Sequence, residues 1–75
     1  MVWHKDFENG LNSVWINTDG SERFIHLSQW KDGTQWMVKI GVKSNASHNQ
    51  ERLFKNRSRA MISVNNIMKS KNWRI

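Results

Sequence analysis

Three turn dipeptides divide the first part of this 75-residue chain, and they constrain its fold more than any other feature. Asn9-Gly10, Asp19-Gly20 and Asp32-Gly33 each combine residues that tolerate the positive φ angles of two-residue hairpin turns. The segments between these turns are rich in Val, Ile, Trp, Phe and Thr, which favour β-strands. The pattern predicts four antiparallel strands joined as a meander, near residues 2–8, 11–18, 21–31 and 34–43.

Two-residue loops would also fix the register of each hairpin and assign every side chain to one face of the sheet. The predicted core face collects Trp3, Phe7, Val14, Ile16, Ile25, Leu27, Trp36, Val38, Ile40 and Val42. The predicted opposite face carries His4, Asp6, Ser13, Trp15, Phe24, His26, Trp30, Met37 and Lys39. Aromatic side chains outside the core suggest base stacking, an interface with a partner or subunit, or shelter under the chain termini. The sequence leaves these three interpretations open.

The polar residues 43–49 predict a loop after the fourth strand, and the segment that follows has two interpretations. Ser47 and Gln50 form a capping box, which could start a helix near residue 48. Alternatively, residues 50–55 form a short fifth strand and the helix starts later.

The later start is favoured because Asn56 is a good N-cap for a helix that runs to about Lys71. Starting one turn after this cap, apolar residues recur at helical spacing: Ala60, Met61, Val64, Ile67 and Met68. The sequence therefore predicts a single α+β domain over residues 1–75. It consists of a four- or five-stranded antiparallel β-meander with one C-terminal helix packed on one face.

The charge of the chain is concentrated in its last third. The formal net charge is +6, yet residues 1–43 carry equal numbers of acidic and basic side chains. Residues 44–75 contain one acid, Glu51, and seven bases: Arg52, Lys55, Arg57, Arg59, Lys69, Lys71 and Arg74. This asymmetry predicts an anionic partner, of which nucleic acid, either DNA or RNA, is the commonest; a merely solubilising surface is the alternative.

The first turns of the predicted helix strengthen the argument for an anionic partner. Arg57 and Arg59 would lie near the positive end of the helix dipole, which disfavours cations there. Backbone N–H groups at the same end favour phosphate. Arg52 and Lys55 directly precede this helix start, so the four cations form the main candidate binding set.

No catalytic, metal or cofactor site is predicted. The chain has no cysteine, and its histidines, at positions 4, 26 and 48, match no common metal-ligand spacing. Its four glycines are isolated, so no phosphate-binding loop is present. No apolar run approaches the roughly 20 residues of a membrane span, and no signal peptide is recognisable. We therefore expect a cytoplasmic, non-enzymatic binding module without a membrane partner.

The layout of residues 24–71 resembles the AP2-type DNA-binding domain and the related domains at the N-termini of phage and transposon integrases. The matching features are a strand with Trp36, Val38 and Ile40, a strand that ends at Phe54, and Ala60 early in the next helix. In that family the outer face of the sheet lies in the DNA major groove and the helix supports it from behind. The resemblance implies that the side chains of this chain that face DNA are Trp30, Lys39 and Lys43.

In size and style the chain also resembles the small inhibitor proteins of phages, including anti-CRISPR proteins. This resemblance implies a partner that is an acidic or nucleic-acid-binding protein, such as a host or defence nucleic-acid enzyme. The aromatic face with Trp15, Phe24 and Trp30 would then be the protein interface, together with the basic helix. A homodimer is a further alternative.

Overall fold

The computed structural model describes residues 3–30 and 33–70, with side chains described for all of these except residues 45–48. It confirms the predicted α+β architecture and, of the two predicted strand numbers, the sheet of five. All neighbouring strands are antiparallel, and their order in the sheet is the order along the chain. The elements are β1 (Trp3–Glu8), β2 (Asn12–Asn17), β3 (Arg23–Trp30), β4 (Gln35–Val42), β5 (Asn45–Phe54) and helix α1 (Arg57–Lys69).

The register predicted for the β3–β4 hairpin is confirmed. Ile25 pairs with Ile40, and Leu27 pairs with Val38, as a two-residue loop requires. Gly33 has a φ of +86°, the left-handed conformation that glycine adopts without strain. These four paired side chains are fully buried and form the centre of the core.

The register predicted for β2 and β3 is wrong by one residue. Trp15, rather than Val14, pairs with Ile25. The connection is a longer loop in which Asn17 Oδ1 accepts a hydrogen bond from the backbone N–H of Asp19, and Glu22 takes a φ of +62°. Because side chains alternate along a strand, this shift reverses the faces of β2. Trp15 is therefore only 7% exposed and belongs to the core, with Ser13 on the same face.

The same reversal places Val14 and Ile16 on the face opposite the helix. Phe7 also leaves the predicted core face, because the register of β1 against β2 shifts between Lys5 and Phe7. Beyond this bulge Phe7 pairs with Val14 and is 49% exposed. Trp3 lies before the bulge, keeps its predicted face and packs against the core.

The predicted loop over residues 43–49 is wrong as well. Only Lys43 and Ser44 form a turn, and β5 already begins at Asn45. The strand continues to Phe54, which excludes a helix starting near residue 48. The backbone N–H of Lys43 donates to the carbonyl oxygen of Glu22 at 3.0 Å, which ties this turn to the neighbouring β2–β3 loop.

The predicted helix start at Asn56 is confirmed. The Asn56 side-chain oxygen accepts from the backbone N–H of Arg59 at 2.9 Å, so it satisfies one of the first-turn donors. The apolar stripe packs against β3, β4 and β5, with Ala60, Val64 and Ile67 buried and with Met61 and Met68 partly buried. The helix ends at Lys69, and its predicted end at Lys71 lies outside the described residues. No helix in the described ranges is long and apolar enough to cross a membrane.

Candidate nucleic-acid interface

Two of the candidate arginines lie over aromatic rings on the helix side of the sheet. The guanidinium carbon of Arg52 is 5.3 Å from the centre of the Phe54 ring. That of Arg57 is 5.8 Å from the centre of the Trp36 ring. Trp36 and Phe54 are direct cross-strand partners on β4 and β5. The four side chains therefore form one continuous group, which we call the arginine–aromatic ladder: Arg52, Phe54, Trp36 and Arg57.

Local sequence explains why the ladder forms. Arg52 and Phe54 are two residues apart on β5, so both point to the same face of the sheet. Trp36, the cross-strand partner of Phe54, places a second ring beside it. The short link after β5 leads the chain back over the sheet, so that Arg57, the first residue of the helix, lies above Trp36. An arginine held over a ring gains cation–π attraction and keeps its planar fork of N–H donors.

Further donors and charge surround the ladder. Lys55 and Arg59 are exposed, and no acidic residue occupies the first turn of α1. The N–H groups of Arg57 and Ser58 have no acceptor within the helix, because they precede its first hydrogen bond. Guanidinium, ammonium and helix N–H groups at one end of the molecule are the donor types that bind phosphate oxygens.

One acidic side chain lies near this end of the helix. Glu8 accepts a 2.7 Å hydrogen bond from Lys5 and a 3.2 Å hydrogen bond from the Ser13 hydroxyl. These two bonds and the charge of Lys5 hold the pKa of Glu8 below its ordinary value, and the charge of Arg57 adds a smaller effect in the same direction. Glu8 is therefore already paired with Lys5.

The remaining candidate residues lie elsewhere. Phe24, Trp30 and Lys39 are on the face of the sheet opposite the helix, and Trp30 is 43% exposed there. Lys43 lies in the β4–β5 turn, at the end of β4 away from Trp36. Trp15, predicted on the outer face, is a core residue, so it offers no binding surface. The structure therefore brings Arg52 and Arg57 together and separates them from the sheet-face candidates.

The face opposite the helix, which we call the open face, is covered by no described helix or strand. Its apolar side chains are Phe7, Val14, Ile16, Phe24, Trp30, Met37 and Leu53. Phe24 and Asn49 lie against Gly41, where no room for a side chain remains. His26 Nε2 donates to Asn12 Oδ1 at 3.0 Å. Partial burial, and secondarily the charge of Lys39, lower the pKa of His26, which favours its neutral form.

Trp36 and Phe54 are the site residues that sequence analysis missed. Sequence analysis assigned Trp36 to the core face and the family layout, and Phe54 to the family layout alone, although both are partly exposed. The spacing of Arg52 and Phe54 on a strand was the available signal, since it places a cation and a ring on one face. Arg57 and Trp36 are 21 residues apart in the sequence and lie on different elements, so only the tertiary structure reveals their contact.

The described residues contain no group of three His, Asp or Glu side chains that could hold a metal ion. Comparison with protein-family models, curated proteins and solved structures finds no significant match to this chain.

Proposed function

We propose that this protein binds nucleic acid without strong sequence preference, through the arginine–aromatic ladder and the adjacent cations Lys55 and Arg59. The observation that carries the proposal is the pair of guanidinium groups held over neighbouring rings beside a helix N-terminus without acidic residues. Arginines ordered in this way lose less side-chain entropy when they bind a phosphate. Contacts to phosphate alone position a nucleic acid without reading its sequence.

The charge distribution favours the helix side over the open face as the binding surface. On the open face the charge of Lys39 is balanced by its cross-strand neighbour Glu51. The layout that the AP2-type resemblance implies, with the sheet in the major groove, would bring this balanced surface to the DNA. On the helix side, four cations are grouped around one end of α1, and the nearest acid already pairs with Lys5.

The test is a salt titration of binding to mixed-sequence DNA and RNA. Four to six phosphate contacts would lower the affinity by roughly two to three decades over a fourfold rise in salt. The double variant Arg57→Ala/Arg59→Ala should weaken binding to all sequences and reduce the slope of log affinity against log salt by about two.

The matched control is Lys43→Ala/Lys69→Ala, which also removes two positive charges but from exposed positions away from the ladder. If net charge alone drives binding, both double variants lose the same affinity and slope. Trp30→Ala tests the open face, because a stacking platform there would lose about 1–3 kcal/mol of binding free energy.

Equal losses in the two double variants, or a loss of that size in Trp30→Ala, would overturn the proposal. So would the absence of binding at low salt. In the last case the basic surface would instead fit an acidic protein partner, as the inhibitor interpretation requires.

A further inference from the structure

One end of the sheet collects exposed apolar side chains. The β1–β2 turn, the last residues of β3 and β5 and the first residue of α1 all lie there, and we call it the helix-start end. The backbone N–H of Gln29 donates to the carbonyl oxygen of Leu11 at 2.9 Å, which holds the β1–β2 turn beside the end of β3. Leu11, Trp30 and Leu53 are 54%, 43% and 44% exposed at this end. Exposed apolar groups of this kind mark surfaces that meet a partner or a membrane.

Trp30 and Leu53 belong to one continuous apolar strip. Met37 on β4 pairs directly with Leu53 on β5 and lies diagonally across from Trp30 on β3. Together with Glu51 and Arg52, these three residues line an open depression of about 420 Å³. Because Arg52 also belongs to the arginine–aromatic ladder, the apolar strip directly borders the basic surface.

The helix-start end also carries the cations of the candidate interface. Lys55 follows β5, Arg57 and Arg59 lie in the first turn of α1, and all three are exposed, as is Arg52. The ladder and Trp30 lie on opposite faces of the sheet. A flat surface that meets the sheet end-on would nevertheless contact both, because the sheet and its helix form only two layers.

Little negative charge opposes these four cations. Glu8 is paired with Lys5 at 2.7 Å, and Glu51 lies directly across from Lys39 on β4. Residues 31–32, which lie outside the described residues, contribute one base and one acid. The helix-start end is therefore both apolar and positively charged.

This combination fits the surface of an anionic lipid bilayer. Binding to such a surface grows with the apolar area buried at the headgroup boundary and with the attraction between cations and anionic lipids. Tryptophan is enriched at that boundary, because its ring is apolar and its N–H can donate a hydrogen bond. A nucleic acid would use the same cations but has no apolar phase that would receive Leu11 and Leu53.

We propose that the helix-start end docks on anionic lipid bilayers. Its apolar side chains enter the headgroup region, and its four exposed cations contact the anionic headgroups. This proposal goes beyond nucleic-acid binding and does not depend on it. Sequence analysis led us to expect no membrane partner, because the sequence does not show that these side chains share one end of the molecule.

Co-sedimentation with lipid vesicles tests the proposal. The wild-type chain should bind vesicles of equimolar phosphatidylcholine and phosphatidylglycerol at low salt. Its binding to pure phosphatidylcholine vesicles should be at least about tenfold weaker, because the cations are attracted only to anionic lipids. Trp30→Ala/Leu53→Ala should weaken binding to the mixed vesicles at least about tenfold and leave the affinity for nucleic acid unchanged. Arg57→Ala/Arg59→Ala should weaken the binding of both ligands.

The matched control is Ile62→Ala, which removes an apolar side chain that is 60% exposed in the middle of α1. This variant should bind the mixed vesicles like the wild type. Vesicles with brominated acyl chains report insertion directly, since bromine quenches tryptophan fluorescence at short range. Trp30→Phe keeps an apolar ring, so it should still bind but lose most of the quenching seen in the wild type. Circular dichroism melting verifies the fold of each variant.

Failure of the wild type to bind the mixed vesicles at low salt would overturn the proposal, and an acidic protein would then fit this end better. A folded Trp30→Ala/Leu53→Ala variant that binds them like the wild type would overturn it too, since cations alone would then hold the protein at the surface. So would an equal loss in Ile62→Ala, or unchanged quenching in Trp30→Phe. None of these results bears on nucleic-acid binding, which the salt titration tests separately.

Discussion

Trp15 and Trp30 show how one residue type takes two different roles in this chain. Trp15 lies on the helix side, where it is buried and its ring lies 5.4 Å from the Lys5 ammonium. Trp30 lies at the end of β3 on the open face and remains substantially exposed. The difference arises because alternate residues of a strand point to opposite faces of the sheet. The β2–β3 loop determines which residues of β2 face the helix.

Replacing each tryptophan by alanine should therefore have unequal effects on stability. Trp15→Ala removes a buried ring and leaves a cavity, so we expect it to lower the free energy of unfolding by about 3–5 kcal/mol. Trp30→Ala should cost about 1 kcal/mol or less at a protein concentration where the chain is monomeric. Urea unfolding followed by circular dichroism measures both changes.

If Trp15→Ala is unfolded without denaturant, Trp15→Phe provides the measurable case, with a smaller loss from partial filling of the cavity. Equal losses for the two alanine variants would contradict the burial of Trp15. In that case the register predicted from a two-residue turn at Asp19-Gly20 would have to be reconsidered.

At the scale of elements, the start of helix α1 determines where the ladder forms. Asn56 fixes the first turn, and this turn places Arg57 over Trp36. Asn56→Ala removes the side-chain acceptor for the N–H of Arg59, and we expect a loss of about 1 kcal/mol in the free energy of unfolding. Chemical denaturation gives this value directly.

Asn65→Ala is the matched control, since Asn65 is exposed in the interior of the same helix. Alanine is the better helix former there, so this variant should be neutral or slightly stabilising. Asn56→Asp keeps an oxygen at the cap and should retain most of the stability. A loss in Asn56→Ala no larger than in Asn65→Ala would show that Asn56 does not cap the helix.

The hairpins explain how far sequence reasoning could go. The β3–β4 register is the one that a two-residue loop at Asp32-Gly33 predicts, so this register and the burial of Ile40 were predictable. Asn9-Gly10 and Asp19-Gly20 belong to longer loops held by side-chain hydrogen bonds, including the two that Asn9 Oδ1 accepts from Leu11 and Asn12. Local composition does not distinguish a two-residue turn from these loops. Yet one extra residue in a loop moves every side chain of the adjoining strand to the opposite face of the sheet.

The candidate site was predictable to a similar extent. The charge count identified Arg52, Lys55, Arg57 and Arg59, and the cap at Asn56 located two of them on the helix. The spacing of Arg52 and Phe54 on β5 could have indicated one aromatic contact, but the contact of Arg57 could not be deduced, because Trp36 meets Arg57 only when the helix folds back over the sheet. Phe24 and Trp30 lie on the open face as predicted, but Phe7, Val14 and Ile16 replace Trp15 there.

At the scale of the whole molecule, charge and exposed apolar surface lie on opposite sides of the sheet. The helix side carries the arginine–aromatic ladder and its neighbouring cations. The open face carries the apolar side chains and the balanced pair of Lys39 and Glu51. A nucleic acid bound to the helix side would therefore leave the apolar open face free of contact.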